Sequence, residues 1–454
     1  EENENETESK TRAAMTPPVL WLRSSKLYFA SVTRVNLKYE THHVTSSNPD
    51  DHPWYPAWLT AVQQGFHDPY PSQKFLEHQL KIDAERKATA RTVLDSERPT
   101  YGLGNDIPVA TFMDWTGELN VGGKVIDCHQ ISEVTVLASH RRQGIATTLM
   151  TESLTDAKEK GLAVAALTAT EAAIYGRFGF GPAIFSTSVE LHAGSGFSVS
   201  APIKGRCEYI DVTQLAEASS HVFEKFHARQ TGSISRCAPE MEIRNGSIDK
   251  PTRETNNKTR AIGHWNEKGE LDGYATWRLE SRGGALDVMD FVPCTTDASI
   301  AMWEFLGSLD LVRRVRFDNA RNDEHLPWAL ADRRRYHINE HNDFLWLRVI
   351  DPAALLEARN YYTEGDVTFR VVDSMGFADG TWRLTVQDGK GTCEPYEGEP
   401  QVEIDVPALG STLLGGVNIQ ALETVGWVRG DEDAVDKLGI LLQRRREPWC
   451  VTYF

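Results

Sequence analysis

Residues 134–161, VTVLASHRRQGIATTLMTESLTDAKEKG, restrict the fold more than any other stretch of the chain. Val134, Val136 and Leu137 are β-formers in a short apolar run, which Ser139 and His140 break. From Ile145 onward, Leu149, Met150, Leu154 and Ala157 recur near helical spacing, giving one buried face, and Gly161 stops the helix. Residues 162–167 form a second apolar run, as the next strand of an α/β unit requires. The chemistry lies at the junction. A glycine at a helix entrance leaves backbone N–H groups bare, and the helix dipole adds positive potential there. Arg141 and Arg142 add more charge, so the junction suits a pyrophosphate. Taken alone, it also fits, as the lesser reading, a basic turn in an unrelated α/β domain.

The chain has 454 residues, and at roughly 100–200 residues per domain this predicts about three domains. The opening EENENETESKTR is acidic where a secretory signal is basic. It reads as a flexible tail over residues 1–19, with Met15 as a candidate start, and points to the cytoplasm. No run approaches the ~20 apolar residues needed to span a bilayer, so no membrane is expected. The formal net charge of −17 weighs against nucleic acid as a partner and mildly favours the approach of cationic molecules. Six cysteines lie far apart with no Cys-x-x-Cys pair, which points to reduced thiols rather than a zinc knuckle. His337-Ile338-Asn339-Glu340-His341 matches a zinc-protease pattern, but that chemistry requires a helix. Asn342-Asp343 signals a turn and 344–349 a strand, so no metal site is expected.

The first domain is expected over residues 20–192. It has helices at 53–64 and 75–92, strands at 106–115 and 124–131, a turn at 120–123, and then the strand at 134–137. Asp68 sits in the turn Phe66-His67-Asp68-Pro69. A second domain over 193–343 is expected to carry a helix at 212–230, strands at 274–279 and 286–291, a helix at 298–309 and a polar loop at 245–258. It has no Arg-x-x-Gly loop. The third, 344–454, opens with the strand 344–349, then a helix at 352–360. A hairpin at 367–372 and 381–386, turning at Asp379-Gly380, and a helix at 433–445 complete it. The class is α/β (α+β).

Arg141-x-x-Gly144-x-Ala146 resembles the acetyl-CoA pyrophosphate loop of the GNAT superfamily of N-acetyltransferases. Thr170-Glu171-Ala172-Ala173-Ile174-Tyr175-Gly176-Arg177-Phe178-Gly179-Phe180-Gly181-Pro182-Ala183 closely resembles the signature of the Eis branch of that superfamily. Further likeness lies in Leu345-Trp346-Leu347-Arg348, Pro352-Ala353-Ala354, Leu356-Glu357-Ala358-Arg359, Leu409-Gly410-Ser411, Leu414-Gly415-Gly416 and the aromatic last residue. The resemblance implies a catalytic GNAT domain over 20–192, a degenerate second GNAT-like domain and a sterol carrier protein-like third domain.

It further implies acetyl-CoA as cosubstrate without a metal, and primary amines as acceptors. Aminoglycoside-like molecules lead, with several positions open to acetylation, and the assembly is a homohexamer. Tyr175 takes the place of the general acid, and the carboxylate of Phe454 that of the general base. Val134 and Val136 would hold the pantetheine by their backbone, and Arg141, Arg142, Gly144 and Ala146 the pyrophosphate. Asp68 falls where an acid faces the substrate cleft, although an exposed turn Asp before Pro is an equal reading. Pro448-Trp449-Cys450 is expected to hold the tail against the third domain. Two positions depart from the family pattern. Tyr453 replaces an acid next to the last residue, which weakens the case for a highly cationic substrate, and Thr168 stands where a His lies shortly before the Glu. Two other classes stay open: an acetyl-CoA-binding sensor, and a lipid-binding or scaffold protein.

Overall fold

The alternating and apolar runs collect into two sheets. The computed structural model describes residues 36–211 and 213–454, with Leu37–Phe454 forming one unit. The expected tail at 1–19 and the start of the first domain at residue 20 lie outside the described residues. The larger sheet takes twelve strands. They are β1 Leu37–His43, β2 Thr89–Asp95, β3 Ala110–Asn120, β4 Val125–Val136, β5 Val164–Thr168, β6 Gly181–His192, β7 Arg206–Tyr209, β8 Arg260–Trp265, β9 Leu271–Leu279, β10 Ala285–Pro293, β11 Arg314–Ala320 and β12 Tyr336–Val349.

Their order is β1-β2-β3-β4-β5-β12-β6-β11-β10-β9-β8-β7, which divides into two similar halves. In each, a run of antiparallel strands ends in one parallel pair: β4 with β5 in the first, β10 with β11 in the second. The halves then exchange their final strands. β12 of the second half closes β5, β6 of the first closes β11, and the two exchanged strands pair along the centre.

Helices α1 Tyr55–Phe66 and α2 Gln73–Arg86 cover one face of the first half, and α3 Ile145–Glu159 the other. Ile145, Leu149, Met150, Leu154 and Ala157 of α3 are all buried, as their spacing predicts. The helix expected at 75–92 stops early. Lys87 turns left-handed at φ 52, and Thr89, Thr92 and Val93, β-branched and buried, continue as β2. After the short α4 Ala172–Tyr175, the second half carries α5 Leu215–His227, α6 Ala238–Arg244, α7 Thr296–Gly307 and α8 Leu326–Ala329. His337 and His341 lie on β12, where no turn interrupts the strand. Their rings pack separately, against His192 and Phe185.

The smaller sheet, in the order β15-β14-β13-β16-β17, comprises β13 Gly365–Val372, β14 Gly380–Gln387, β15 Lys390–Pro395, β16 Val402–Asp405 and β17 Val428–Gly430. With it go α9 Pro352–Ala358, α10 Val406–Thr412, α11 Ile419–Thr424 and α12 Glu432–Leu442. Residues 344–349, expected to open this third domain, are instead the end of β12 in the larger sheet. They pair with β5 on one side and β6 on the other, so they cannot leave with the smaller sheet. α10 lies backbone to backbone on β6 and β12. A side chain at Gly181 would strike the Pro407 carbonyl, and one at Gly410 the Leu347 carbonyl.

Arg348, fully buried on β12, ties three segments together. Its Nη2 sits 2.7 Å from both carboxylate oxygens of Asp373, in the loop after β13, and its Nε donates to the Phe178 carbonyl at 2.7 Å. Burial pulls the Arg348 pKa down, partly opposed by Asp373; burial likewise raises Asp373, but the Arg348 guanidinium and the Ala378 and Met375 N–H groups together hold that carboxyl low. Asp373→Ala is expected to cost about 3–5 kcal/mol, because it strands a buried guanidinium. Urea unfolding followed by circular dichroism checks this; an unchanged midpoint would mean that the pair is not a fastener.

Candidate active site

β4 and β5 run together only through His129–Ile131 opposite Ala165–Leu167. Beyond Ile131, β3 is the sole strand partner of β4 among the described residues, so its β5-facing edge is bare of strands there as far as Val136. A register shift breaks the β3–β4 ladder here, and Glu133 takes a left-handed conformation at φ 53. The Thr111 hydroxyl donates to the Glu133 carbonyl at 2.8 Å and fixes the bulge. A bare strand edge is a row of N–H and C=O groups ready for an extended ligand. Val134 and Val136 lie on it.

At the far end of this edge the chain turns through Ala138–His140, where His140 Nε2 sits 3.2 Å from Asp95 Oδ2. Arg142 and Gly144 then adopt left-handed conformations, at φ 65 and φ 81. α3 starts without a side-chain cap, which leaves its first N–H groups unmet. Arg141, Arg142 and Gly144 are exposed and Ala146 is half-buried. A side-chain carbon at Gly144 would meet none of the described residues within 4 Å, which leaves the space in front of the helix open to them. These donors and charges suit a pyrophosphate. The matching helix of the second half, α7, differs. The Thr295 hydroxyl already accepts from Ala298 N at 3.1 Å, and Asp297 brings negative charge to the first turn. Beside α3, a cavity of about 360 Å³ is lined by Thr147, Thr151, Arg177, Phe178, Met375 and Phe377.

The near end of the edge meets Tyr175 and the tail. Tyr175 closes α4, is 6% exposed, and sets its ring edge-on to Phe180 at 6.2 Å. Burial first, then the Glu171 carboxylate and Tyr453, push its phenol up to about 12. The tail threads through the second half. Trp449 Nε1 donates to the Asn319 carbonyl at 3.0 Å, and Asn319 Nδ2 to the Cys450 carbonyl at 2.8 Å. Arg236, buried and paired with Asp290 at 2.7 Å, donates to the Val451 carbonyl at 2.5 Å and to Thr452 Oγ1 at 3.1 Å.

The second half therefore anchors Trp449 and Cys450, and of the expected anchor Pro448 sits against the third domain, beside Gly416. The donors that satisfy the tail's buried backbone lie at Arg236, before α6, and at Asn319 on β11. At the tip, the Phe454 ring stands edge-on to Trp115 at 5.6 Å, and Thr168 Oγ1 donates to the Phe454 carboxyl oxygen at 2.5 Å. Arg244 donates to the Tyr453 carbonyl, and Lys250 Nζ lies 5.4 Å from the Tyr453 ring centre.

The structure thus gathers Tyr175, Thr168 and Phe454 at one end of the bare edge and Arg141, Arg142, Gly144 and Ala146 at the other. Asp68, exposed after α1, lies close enough to Glu133 to act on its charge. Sequence reading missed Glu133 and Arg236. An acid inside the apolar run 131–137 was a usable signal for Glu133. Nothing local distinguishes Arg236. Among the described residues no cluster of His, Cys, Asp and Glu is arranged to hold a metal, and no helix is long and apolar enough to cross a membrane.

Profiles of the acetyltransferase (GNAT) domain match residues 53–183 and 232–349, and a sterol carrier protein domain profile matches residues 352–451. An uncharacterized N-acetyltransferase of Streptomyces avermitilis is 31% identical over 410 residues, covering 87% of this chain and 96% of that protein. The N-acetyltransferase Eis of Mycobacterium bovis is 29% identical over 367 residues, 77% of this chain and 87% of the relative. The crystal structure of Eis1 from Mycobacterium abscessus shares the fold, with a TM-score of 0.75 at 24% identity over 92% of this chain and 100% of that one. Two GNAT halves joined in one sheet, followed by a sterol carrier-like domain, and relatives aligned over most of their length lead to one conclusion: the chain belongs to the Eis family of GNAT N-acetyltransferases.

Proposed function

We propose that this N-acetyltransferase acetylates primary amines from acetyl-CoA, with aminoglycoside-like molecules the leading acceptors and several amines of one molecule open to reaction. The observation that carries this reading is the bare edge of β4, which joins an anion-binding helix entrance to the corner holding Tyr175 and Phe454. Acetyl-CoA supplies the activated acyl group as a thioester. Arg141, Arg142 and the amides around Gly144 and Ala146 hold its pyrophosphate. The backbone of Val134 and Val136 orients the pantetheine arm and polarises the carbonyl. Tyr175 gives its proton to the departing thiolate, and the Phe454 carboxylate takes the amine proton as the N–C bond forms. Asp68 and Glu133 furnish an acidic side for a cationic acceptor, while Arg244 and Lys250 flank Tyr453 on the other. The six free thiols agree with a cytoplasmic enzyme. The family resemblance adds a homohexamer, which light scattering on the purified protein tests.

The deciding experiment is incubation with acetyl-CoA and a panel of aminoglycosides, polyamines and simple alkyl amines, reading free thiol and product mass. Successive acetyl additions to one aminoglycoside support the full reading. No thiol release with any amine overturns it. The loop assignment has its own check. Gly144→Glu places a carboxylate in the open space before α3, where it repels a pyrophosphate, and an acidic side chain must also accept a left-handed backbone. The acetyl-CoA Kd is expected to rise at least about tenfold, some 1.4 kcal/mol, by calorimetry on folded protein. Unchanged affinity would place the pyrophosphate elsewhere.

A further inference from the structure

A primary alkyl amine reaches any enzyme at neutral pH as an ammonium ion, with a pKa near ~10, and an ammonium has no lone pair with which to attack. The Phe454 carboxylate suits only the later proton, released once the N–C bond is forming. An α-carboxylate with a reference pKa of ~3.3–3.7 draws a proton from a free ammonium very poorly. The first proton needs another acceptor.

Glu133 is placed to be it. It occupies the bulge at which β4 parts from β5, two residues beyond the last β4–β5 pair, Ile131 with Leu167. Across that gap, one residue beyond Leu167, Thr168 holds the Phe454 carboxyl. A left-handed backbone at a non-glycine residue within a strand costs of order 1–3 kcal/mol, and such strain gathers at functional sites. The residue is half-buried and, among the described residues, no hydrogen bond ties its carboxyl down. Charged and titratable groups act on it from several packed elements. α1 presents Tyr55, which donates to buried Asp83 at 2.5 Å. The turn after α1 presents Asp68, and α2 presents Asp83 and Arg86. The loop after α6 presents Lys250 and Arg253, and the tail presents Tyr453. Burial, reinforced by Asp83 and Asp68 and opposed by Arg86 and Lys250, pushes the carboxyl up to about 7.

We infer that Glu133 is the group that takes the first proton from the incoming ammonium, leaving the Phe454 carboxylate to take the second. The inference rests on the acetyl-transfer reading above. Written out, R–NH3⁺ and the Glu133 carboxylate give R–NH2 and a Glu133 carboxylic acid. The amine lone pair then forms the N–C bond and the C–S pair leaves as thiolate. Tyr175 protonates the sulfur, the second amine proton passes to Phe454 and from there to the Tyr175 phenolate, and Glu133 releases its proton to water.

The sign of the pH dependence follows. Glu133 acts when ionised, so kcat/KM of the wild type should rise through an apparent pKa near ~7 and then level off. The test compares wild type and Glu133→Gln on hexylamine, or the fastest alkyl amine of the panel, between about pH 5.5 and 10.5. The variant should lose that limb and follow the amine's own ionisation, roughly 500-fold slower at pH 7 and converging on wild type above the amine's pKa. Convergence at high pH, with acetyl-CoA affinity unchanged, is what a merely structural role would not give. Glu133→Asp should keep the neutral limb at reduced rate. A Gln variant that keeps the limb, or that is equally slow at every pH, overturns the inference while leaving acetyl transfer intact. Wild type without thiol release on any amine overturns the underlying reading instead.

Discussion

An enzyme extended by a few residues beyond Phe454 is expected to lose turnover by at least ~10²-fold while still folding and binding acetyl-CoA, because even a misplacement of ~1 Å at a reacting centre has that effect. The extension does more than displace the carboxylate. It converts that group to a neutral amide, removing both the charge and the proton acceptor. Phe454 is 8% exposed, with its ring against Trp115 and its carboxyl oxygen on Thr168, so added chain has to push out through the cleft. The Arg236 and Asn319 bonds to residues 450–452 lie upstream of the change and should keep the unfolding midpoint near wild type. The same extension at the other end of the chain is the control. Equal turnover from the two extended forms would remove Phe454 from the reaction.

Tyr175→Phe is expected to lower kcat by on the order of 10²–10⁴-fold, with the acetyl-CoA Kd near wild type. The substitution keeps the ring that packs on Phe180 and deletes only the proton donor. Since the protonated phenol is the active form and its pKa lies at about 12, wild-type kcat should show no alkaline fall from Tyr175 below that pH. A burst-free stopped-flow trace for thiol release, with product mass, measures the chemical step. A Phe variant with wild-type kcat would make Tyr175 a packing residue.

Local pattern carried the part of the site that is local. The helical spacing of Ile145 to Ala157 and the glycine at the helix entrance read directly as α3 and its uncapped start, because both depend on neighbours a few residues away. Gly181 and Gly410 were visible as parts of motifs, but their shared reason, the close seat of α10, links positions far apart in sequence. The same limit explains the misplaced boundary at residue 344. Residues 344–349 read correctly as a strand, yet which sheet takes a strand depends on partners that spacing does not specify. The tail shows it again: Trp449 and Cys450 were read as anchors, and their partners Asn319 and Arg236 carry no local mark. Glu133 was overlooked because β-propensity favours Val and Thr around it, and an acid in a strand is usually a solvated one.

The exchange of final strands sets what can be taken apart. A fragment ending at His192 keeps Tyr175, Thr168 and the loop at Gly144, but it strips β12 from both β5 and β6. The pairings of Leu345 to Val349 go with it, as does the fully buried Arg348 that holds the Tyr175 turn. The open edge of β5 would then be a site for aggregation. Although the second half lacks the glycine-entrance loop, it supplies the strand that finishes the catalytic half and the arginine that steers the tail. Damage there should register as a kinetic lesion, so a screen for loss of activity will return substitutions far outside the cleft.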